Sequence, residues 1–277
     1  MDIKEPVITQ DQIIILKDDN FTPDTVCIVT GAGSGIGRAT AIAAAANHLT
    51  VVGLDYNEQT GQETQRLCEG LGGRMVFIPC DLTEDVQMDR AVAEAAKLGQ
   101  VRYLANIAGI QHVDPIEDFP VKTFDLMQRL MVRAPFYLSG KVIPLMRQAG
   151  SGAVGNMASI HAHICTLNKS SYNIAKFALR GLAKSISAEG QGKIRGFTIS
   201  TGFVKTALAL GQIPSQARQR GITEEEVVTD VMMGSSRVKE MMSPVEVGNL
   251  FVLGFSRFSR YLLGGDLLFD GGIVSTY

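Results

Sequence analysis

The stretch TGAGSGIGR at positions 30–38 constrains the fold more than any other part of the chain. It follows the apolar run VCIVT at 26–30 and opens a helical pattern at 36–47. Gly31, Gly35 and Gly37 let the backbone turn tightly and approach a bound group. The helix N-terminus behind them favours negative charge such as a pyrophosphate. The spacing is G-x-x-x-G-x-G rather than the commoner G-x-G-x-x-G, and a tight turn without a ligand is the plainer alternative. The strand before the loop and the helix after it raise it above that alternative.

The rest of the chain repeats the same rhythm. Short apolar strands LTVVGLD (49–55), RMVFIPCD (74–81), YLANIAG (103–109), AVGNMAS (153–159), IRGFTIST (194–201) and DLLFDGG (266–272) are spaced by helical patterns near 58–69, 84–97, 121–148 and around Tyr172. This alternation predicts an α/β fold: a single Rossmann-like, doubly wound parallel sheet over 25–277 with helices on both faces. Residues 205–243 break the rhythm. They are polar, helical in pattern and rich in Met, and they follow a strand's C-terminal end, where ligands bind in such sheets. They are expected to form a small helical substrate lid. Residues 1–24 read as an N-terminal extension whose IIIL run at 13–16 adds an edge strand.

Composition removes several functional classes. A net charge of −2 gives no general case for nucleic acid or an anionic membrane. The apolar runs are too short to span a bilayer, and the N-terminus lacks the pattern of a targeting segment, so a cytoplasmic location is expected. Cys27, Cys68, Cys80 and Cys165 are scattered without C-x-x-C spacing, which suggests reduced thiols and no metal site.

Asp55 closes the second strand, twenty residues after Gly35. An acid there can bond the ribose hydroxyls of a dinucleotide and would repel a 2′-phosphate, so NAD is preferred over NADP. Arg38 is the one nearby cation that argues against this, and capping of its own region is its ordinary role. Asp81 ends the third strand. Contact with adenine and capping of the segment from 82 onward carry equal weight for it.

A catalytic set follows. Tyr172 and Lys176 in YNIAK are four residues apart, on one helix face. An ammonium beside a phenol favours the phenolate and pulls its pKa down toward working pH. Such a tyrosine can move a proton at an alcohol or carbonyl carbon, and Ser159 can bond the same oxygen. Alone, Y-x-x-x-K is weak, since a tyrosine packing on its neighbour reads the same way. The dinucleotide loop supplies the missing half.

Taken together, T-G-x-x-x-G-x-G at 30–37, Asp81-Leu82, N-x-A-G at 106–109, Ser159 and Y-x-x-x-K at 172–176 resemble the short-chain dehydrogenase/reductase family over most of 25–273. The resemblance implies that Tyr172 is the general acid/base, that Lys176 lowers its pKa and binds the nicotinamide ribose, and that Ser159 polarises the substrate oxygen. It implies cofactor contacts at Gly31, Ser34, Gly35, Ile36, Gly37, Asp55, Asp81, Leu82, Asn106, Ala108, Gly109, Val204 and Thr206, with Asn106 and Gly109 bordering the adenosine. A homotetramer is common in the family. Three departures stand out. Met131 occupies the place of an asparagine that usually links the lysine to a water chain, Ile107 replaces the second Asn of N-N-A-G, and Thr201 replaces the Pro of P-G. A thioether cannot donate a hydrogen bond, so Met131 alone touches the chemistry.

On the substrate side, Gln111, His161, Lys169 and Gln212 would suit a small carboxylate, while each has an ordinary solvated or loop reading. His112 and His163 read as structural. The stretches AGIQHVDPIEDF, ASIHAH, NKSSYNIAKFALRGLAKSISAEG and TGFVKTALALGQI resemble the D-3-hydroxybutyrate dehydrogenase branch of the family. That branch implies carboxylate binding by Gln111, His161, Lys169 and Gln212. Phe203 stands where the branch carries tryptophan, a residue this chain lacks entirely, so the apolar wall of the pocket is altered. The expected activity is interconversion of (R)-3-hydroxybutyrate and acetoacetate. The alternatives are a short-chain reductase for a 3-oxoacyl or polyol substrate, and a non-catalytic NAD sensor.

Overall fold

Strand β1 (Thr25–Thr30) is buried along its whole length in the computed structural model, which describes residues 6–275. Its β-branched content suits a strand covered on both faces. Around it the chain forms β2 (Thr50–Asp55), β3 (Arg74–Pro79), β4 (Gln100–Asn106), β5 (Gly152–Met157), β6 (Ile194–Thr201) and β7 (Asp266–Phe269). These make one seven-stranded sheet in the order β3-β2-β1-β4-β5-β6-β7, with every pairing parallel. The order reverses between β1 and β4, and a crevice opens there at the strands' C-terminal ends.

Helices α1 (Gly35–Ala46), α2 (Glu58–Gly70), α3 (Asp85–Leu98), α4 (Val121–Gln128), α5 (Ala134–Gln148) and α6 (Ser170–Glu189) connect the strands. The run AIAAAA gives α1 high helix propensity and a thin profile. That profile admits the late helix Pro244–Phe255 so closely that a Cβ on Gly248 would lie 2.8 Å from the Ala39 carbonyl oxygen. The sheet separates two apolar cores. One contains Ile42, Phe197, Phe251 and Phe255, and the other Met88, Leu104, Leu138 and Ile186.

The stretch expected as one helix near 121–148 is continuous but not uniform. Between α4 and α5 the backbone widens into a π turn at Arg129–Arg133, with Met131 fully buried at its centre. Such turns re-aim side chains and often sit beside functional sites.

The expected lid contains α7 (Ala207–Leu210), α8 (Ile213–Arg220), α9 (Glu224–Glu226) and a π turn at Val227–Met232. Ile213, Val227, Val228, Met232, Met233 and Met241 form an apolar cluster of their own. Both ends of the segment are tied together: Lys205 N–H donates to the Met242 carbonyl at 2.9 Å, and Met242 N–H to the Phe203 carbonyl at 3.0 Å. The chain then returns through α10 (Pro244–Phe255), whose Ser243–Glu246 capping box fixes its start.

The N-terminal run IIIL forms no edge strand, contrary to the expectation. Ile13 is buried and Ile14 and Ile15 are exposed. Two buried asparagines hold the backbone as a strap across α1 and α10. Ile14 N–H donates to Asn249 Oδ1 at 3.0 Å, and Leu16 N–H to Asn47 Oδ1 at 2.8 Å. Asn47 and Asn249 donate in return to the carbonyls of Ile14 and Gln12, at 2.9 and 2.8 Å. The side-chain amides satisfy this backbone, so no neighbouring strand is needed. The expected extension's first five residues lie outside the described part.

Candidate active site

Two adjoining cavities open at the reversal of strand order. The larger, about 410 Å³, runs along the glycine loop and the ends of β2 and β3. The smaller, about 150 Å³, lies over β5 and α6 under the lid. Ile36, Ile107, Gly109, Thr206 and Leu208 line both.

The larger cavity is shaped by backbone proximity. Gly31 adopts φ 68°, and a Cβ there would lie 3.0 Å from the Cα of Ala108. A Cβ on Gly37 would come within 1.9 Å of the Gly31 carbonyl oxygen, so α1 starts where only glycine fits. Asp55 holds the loop at both carboxylate oxygens, accepting from Gly33 N–H and Asn57 N–H at 2.9 Å each. Gly31, Ser34, Gly35, Ile36, Gly37, Asp55, Leu82, Ala108, Gly109 and Thr206 all line this space. A glycine cradle at a helix N-terminus with an acid at the far edge fits a dinucleotide.

Two expected cofactor residues sit elsewhere. Asn106 is buried and donates to Asn156 Oδ1 at 2.9 Å, so it clasps β4 to β5 without reaching the cavity. Asp81 accepts from Thr83 N–H and Oγ1 at 2.9 and 2.8 Å; it caps the turn after β3 and does not line the cavity. Val204 lines the smaller cavity rather than the larger. Sequence reading missed Thr30, whose hydroxyl accepts from the N–H groups of Ile107 and Ala108 at 2.9 and 3.2 Å and holds the N-x-A-G turn against β1. A threonine ending the strand before the glycine loop was the available signal. Arg38 does not face the cavity: its guanidinium bonds the Gly33 carbonyl at 2.7 Å, Thr64 Oγ1 at 3.0 Å and Glu63 at 2.8 Å.

The smaller cavity gathers Gln111, Ser159, His161, Lys169, Tyr172, Lys176, Phe203 and Gln212. Ser159 follows β5, and α6 carries Tyr172 and Lys176 one turn apart. The Lys176 ammonium lies 5.1 Å from the centre of the Tyr172 ring and donates to the Met157 carbonyl at 2.7 Å. Burial pushes Lys176 down to about 8. It also pushes Tyr172 up to about 12, with the Ser159 hydrogen bond working in the opposite direction. The expectation that the ammonium lowers this phenol is therefore reversed. The lysine addresses a backbone carbonyl and the ring face, and desolvation of the phenolate prevails.

His161 lies in the smaller cavity and is bonded within the protein. Its Nδ1 lies 3.0 Å from Ser159 Oγ and its Nε2 lies 2.7 Å from Thr166 Oγ1, so both ring nitrogens are engaged within the protein. Burial, reinforced by the charges of Lys169 and Lys176, pushes it down to about 4. A neutral ring with both nitrogens engaged would meet a carboxylate as a hydrogen-bonding group and not as a charge. Lys169 is lowered by burial and by the charge of Arg220 on the lid, and it has no acidic partner among the described residues. The Gln111 side-chain oxygen is buried without a partner, and Gln212 donates to the Leu208 carbonyl at 3.0 Å. Met131 packs with Met127 and Ala175 beneath Tyr172, and a Cβ on Gly109 would meet its sulfur at 3.2 Å.

His112 pairs with Asp114, and His163 with Asp266 at 2.7 Å, away from the catalytic set. The described residues contain no group of three His, Cys, Asp or Glu side chains able to hold a metal ion, and no helix long and apolar enough to cross a membrane.

A parallel sheet with a glycine cradle at its switch point, beside a serine, a tyrosine and a lysine, defines a nucleotide-dependent oxidoreductase of the doubly wound class. The short chain dehydrogenase family model matches residues 25–216, and the chain belongs to that family. It is 31% identical to a D-beta-hydroxybutyrate dehydrogenase of Rhizobium meliloti over 88% of this chain and 96% of that protein. It is 28% identical to one of Cupriavidus necator, over 90% and 97%. A solved structure described as a candidate NAD(P)-dependent gluconate 5-dehydrogenase from Beutenbergia cavernae, with NADP bound at low occupancy, superimposes with a TM-score of 0.83. It shares 24% identity and covers 93% of this chain and 99% of that one.

Proposed function

We propose that this dehydrogenase interconverts (R)-3-hydroxybutyrate, or a closely similar small 3-hydroxy acid, and its 3-oxo acid, using NAD. The observation that carries this reading is Lys169. Its ammonium is partly buried, has no acidic partner among the described residues, and faces the same cavity of about 150 Å³ as Ser159 and Tyr172. A desolvated cation in so small a space is suited to an anionic group a few atoms from the reacting carbon. Gln111 and Gln212 add amides to the same cavity, and Phe203 supplies an apolar wall. The similarity to the two hydroxybutyrate dehydrogenases supports the same substrate class.

When bound, the dinucleotide supplies the hydride acceptor. The chain's own groups orient the substrate and handle the proton. Lys169, Gln111 and Gln212 fix the carboxylate and so set the position of C3. Ser159 donates to the oxygen on C3, and Tyr172 exchanges a proton with that oxygen. With its pKa near 12 the phenol is held protonated, which suits it to protonate a carbonyl oxygen in the reductive direction. Asp55 at the cavity edge, with Arg38 committed to Gly33, Thr64 and Glu63, favours NAD over NADP. A homotetramer working in the cytoplasm completes the reading, by analogy with the family.

The test is a steady-state assay of NAD reduction with (R)-3-hydroxybutyrate, with Lys169→Met alongside. The expected result is turnover in the wild type and a KM raised about tenfold or more in the variant. NAD binding with no turnover of any small 3-hydroxy acid would reject the proposal. Turnover unaffected by Lys169→Met would favour a 3-oxoacyl or polyol substrate instead.

A further inference from the structure

We infer that Thr166, on the loop between β5 and α6, is a positioning residue for catalysis. By donating to His161 Nε2 it supports the ring tautomer whose Nδ1–H donates to Ser159, which leaves the Ser159 hydroxyl proton for the cavity. The inference rests on the reading of Ser159 and Tyr172 given above, and it follows from counting protons along three side chains.

Ser159 Oγ carries one proton. To polarise the reacting oxygen, that proton must point into the cavity. The 3.0 Å contact between Ser159 Oγ and His161 Nδ1 must then be a hydrogen bond that His161 donates. His161 is neutral at pH 7, because burial and the charges of Lys169 and Lys176 lower its pKa. A neutral imidazole has a single N–H. With the proton on Nδ1, Nε2 is an acceptor, and its 2.7 Å partner, Thr166 Oγ1, must be the donor. The three bonds therefore run one way, from Thr166 to His161 to Ser159 to the reacting oxygen.

The opposite tautomer is the failure state. With the proton on Nε2, the ring donates to Thr166, Nδ1 accepts from Ser159, and the serine proton turns away from the cavity. Among the described residues Thr166 Oγ1 is the hydrogen-bond partner of Nε2, so it is the group that supplies the proton Nε2 needs in the productive tautomer. The ring is otherwise enclosed, edge-on to Tyr172 with centroids 5.4 Å apart. Thr166 itself is solvent-exposed, and its backbone carbonyl separately accepts from Asn173 Nδ2 at 3.2 Å, so replacing its side chain leaves the loop anchored.

The experiment compares wild type, Thr166→Val and Thr166→Ser. It uses (R)-3-hydroxybutyrate kinetics and one-bond proton–nitrogen spectra of the four ¹⁵N-labelled histidines. The expected wild-type result is His161 protonated on Nδ1. Thr166→Val should move that proton toward Nε2 and lower kcat about tenfold, with KM little changed. Thr166→Ser should restore both readouts. A wild-type proton on Nε2 overturns the inference, as does an unchanged kcat in Thr166→Val or a loss that appears in KM alone. The tautomer spectrum needs no substrate, so it decides the inference even where the hydroxy-acid assay rejects the proposed reaction.

Discussion

The ammonium of Lys176 donates to the carbonyl of Met157 at 2.7 Å and lies across the face of Tyr172 rather than at its oxygen. The last residue of β5 thus holds the lysine in place from the sheet side. Burial lowers the lysine from its ordinary 10.5 to about 8, which makes its charge a cost to folding.

Lys176→Met should therefore stabilise the protein at pH 7, by about 1–3 kcal/mol, while removing activity. Between pH 8 and 10.5 the unfolded chain binds more protons at this site than the folded one, so the wild type gains stability as pH rises through that window. The variant should lack this rise. Thermal melts of both proteins from pH 7 to 10.5 measure it, and parallel curves would contradict it.

Tyr172→Phe should lower turnover about a thousandfold and leave dinucleotide affinity close to wild type. The phenol oxygen is lost, while the ring that packs near Met131 and His161 remains. A fluorescence titration with NADH beside the rate assay separates the two effects. An active variant would mean that the proton is carried elsewhere.

Asp55→Asn combined with Glu63→Gln should shift preference toward NADP by about tenfold. The first change removes the repelling charge but keeps an acceptor for Gly33 N–H, and the second releases Arg38 from its acidic partner. The ratio of kcat/KM for the two cofactors reports the outcome. No change would mean that neither residue faces the ribose.

Gly37→Ala should weaken dinucleotide binding more than tenfold and cost about 1–3 kcal/mol of stability. The new methyl group would sit 1.9 Å from the Gly31 carbonyl oxygen, so the loop must shift to admit it. Calorimetric titration and urea unfolding measure the two parts.

The sheet and its crossovers were readable from the chain because each depends on local pattern. Buried parallel strands show as apolar runs, and Gly31 and Gly37 mark places where backbones touch. What escaped was decided by partners distant in sequence. The IIIL run resembles a strand until Asn47 and Asn249 satisfy its backbone. Helix α10 carried a usable signal in Ser243-Pro-Val-Glu246, ahead of an apolar run that is buried along most of its length. Asn106 matches a motif, but its direction depends on Asn156, fifty residues later. The pKa of Tyr172 depends on enclosure as well as on its lysine, and spacing on a helix reports only the latter.

The lid closes on itself through Val204 and Met242 and packs around its own methionines. A segment with its own apolar core, held at Val204–Met242 and again where Arg237 N–H donates to the Gly271 carbonyl at 2.8 Å, can change sequence between those anchors without disturbing the sheet beneath it. Selection for a longer or bulkier hydroxy acid could therefore act on the part of this segment beyond Leu208, while Thr206, Ala207 and Leu208 stay tied to the dinucleotide cavity. Transplanting that part between relatives is the corresponding engineering route to new substrates.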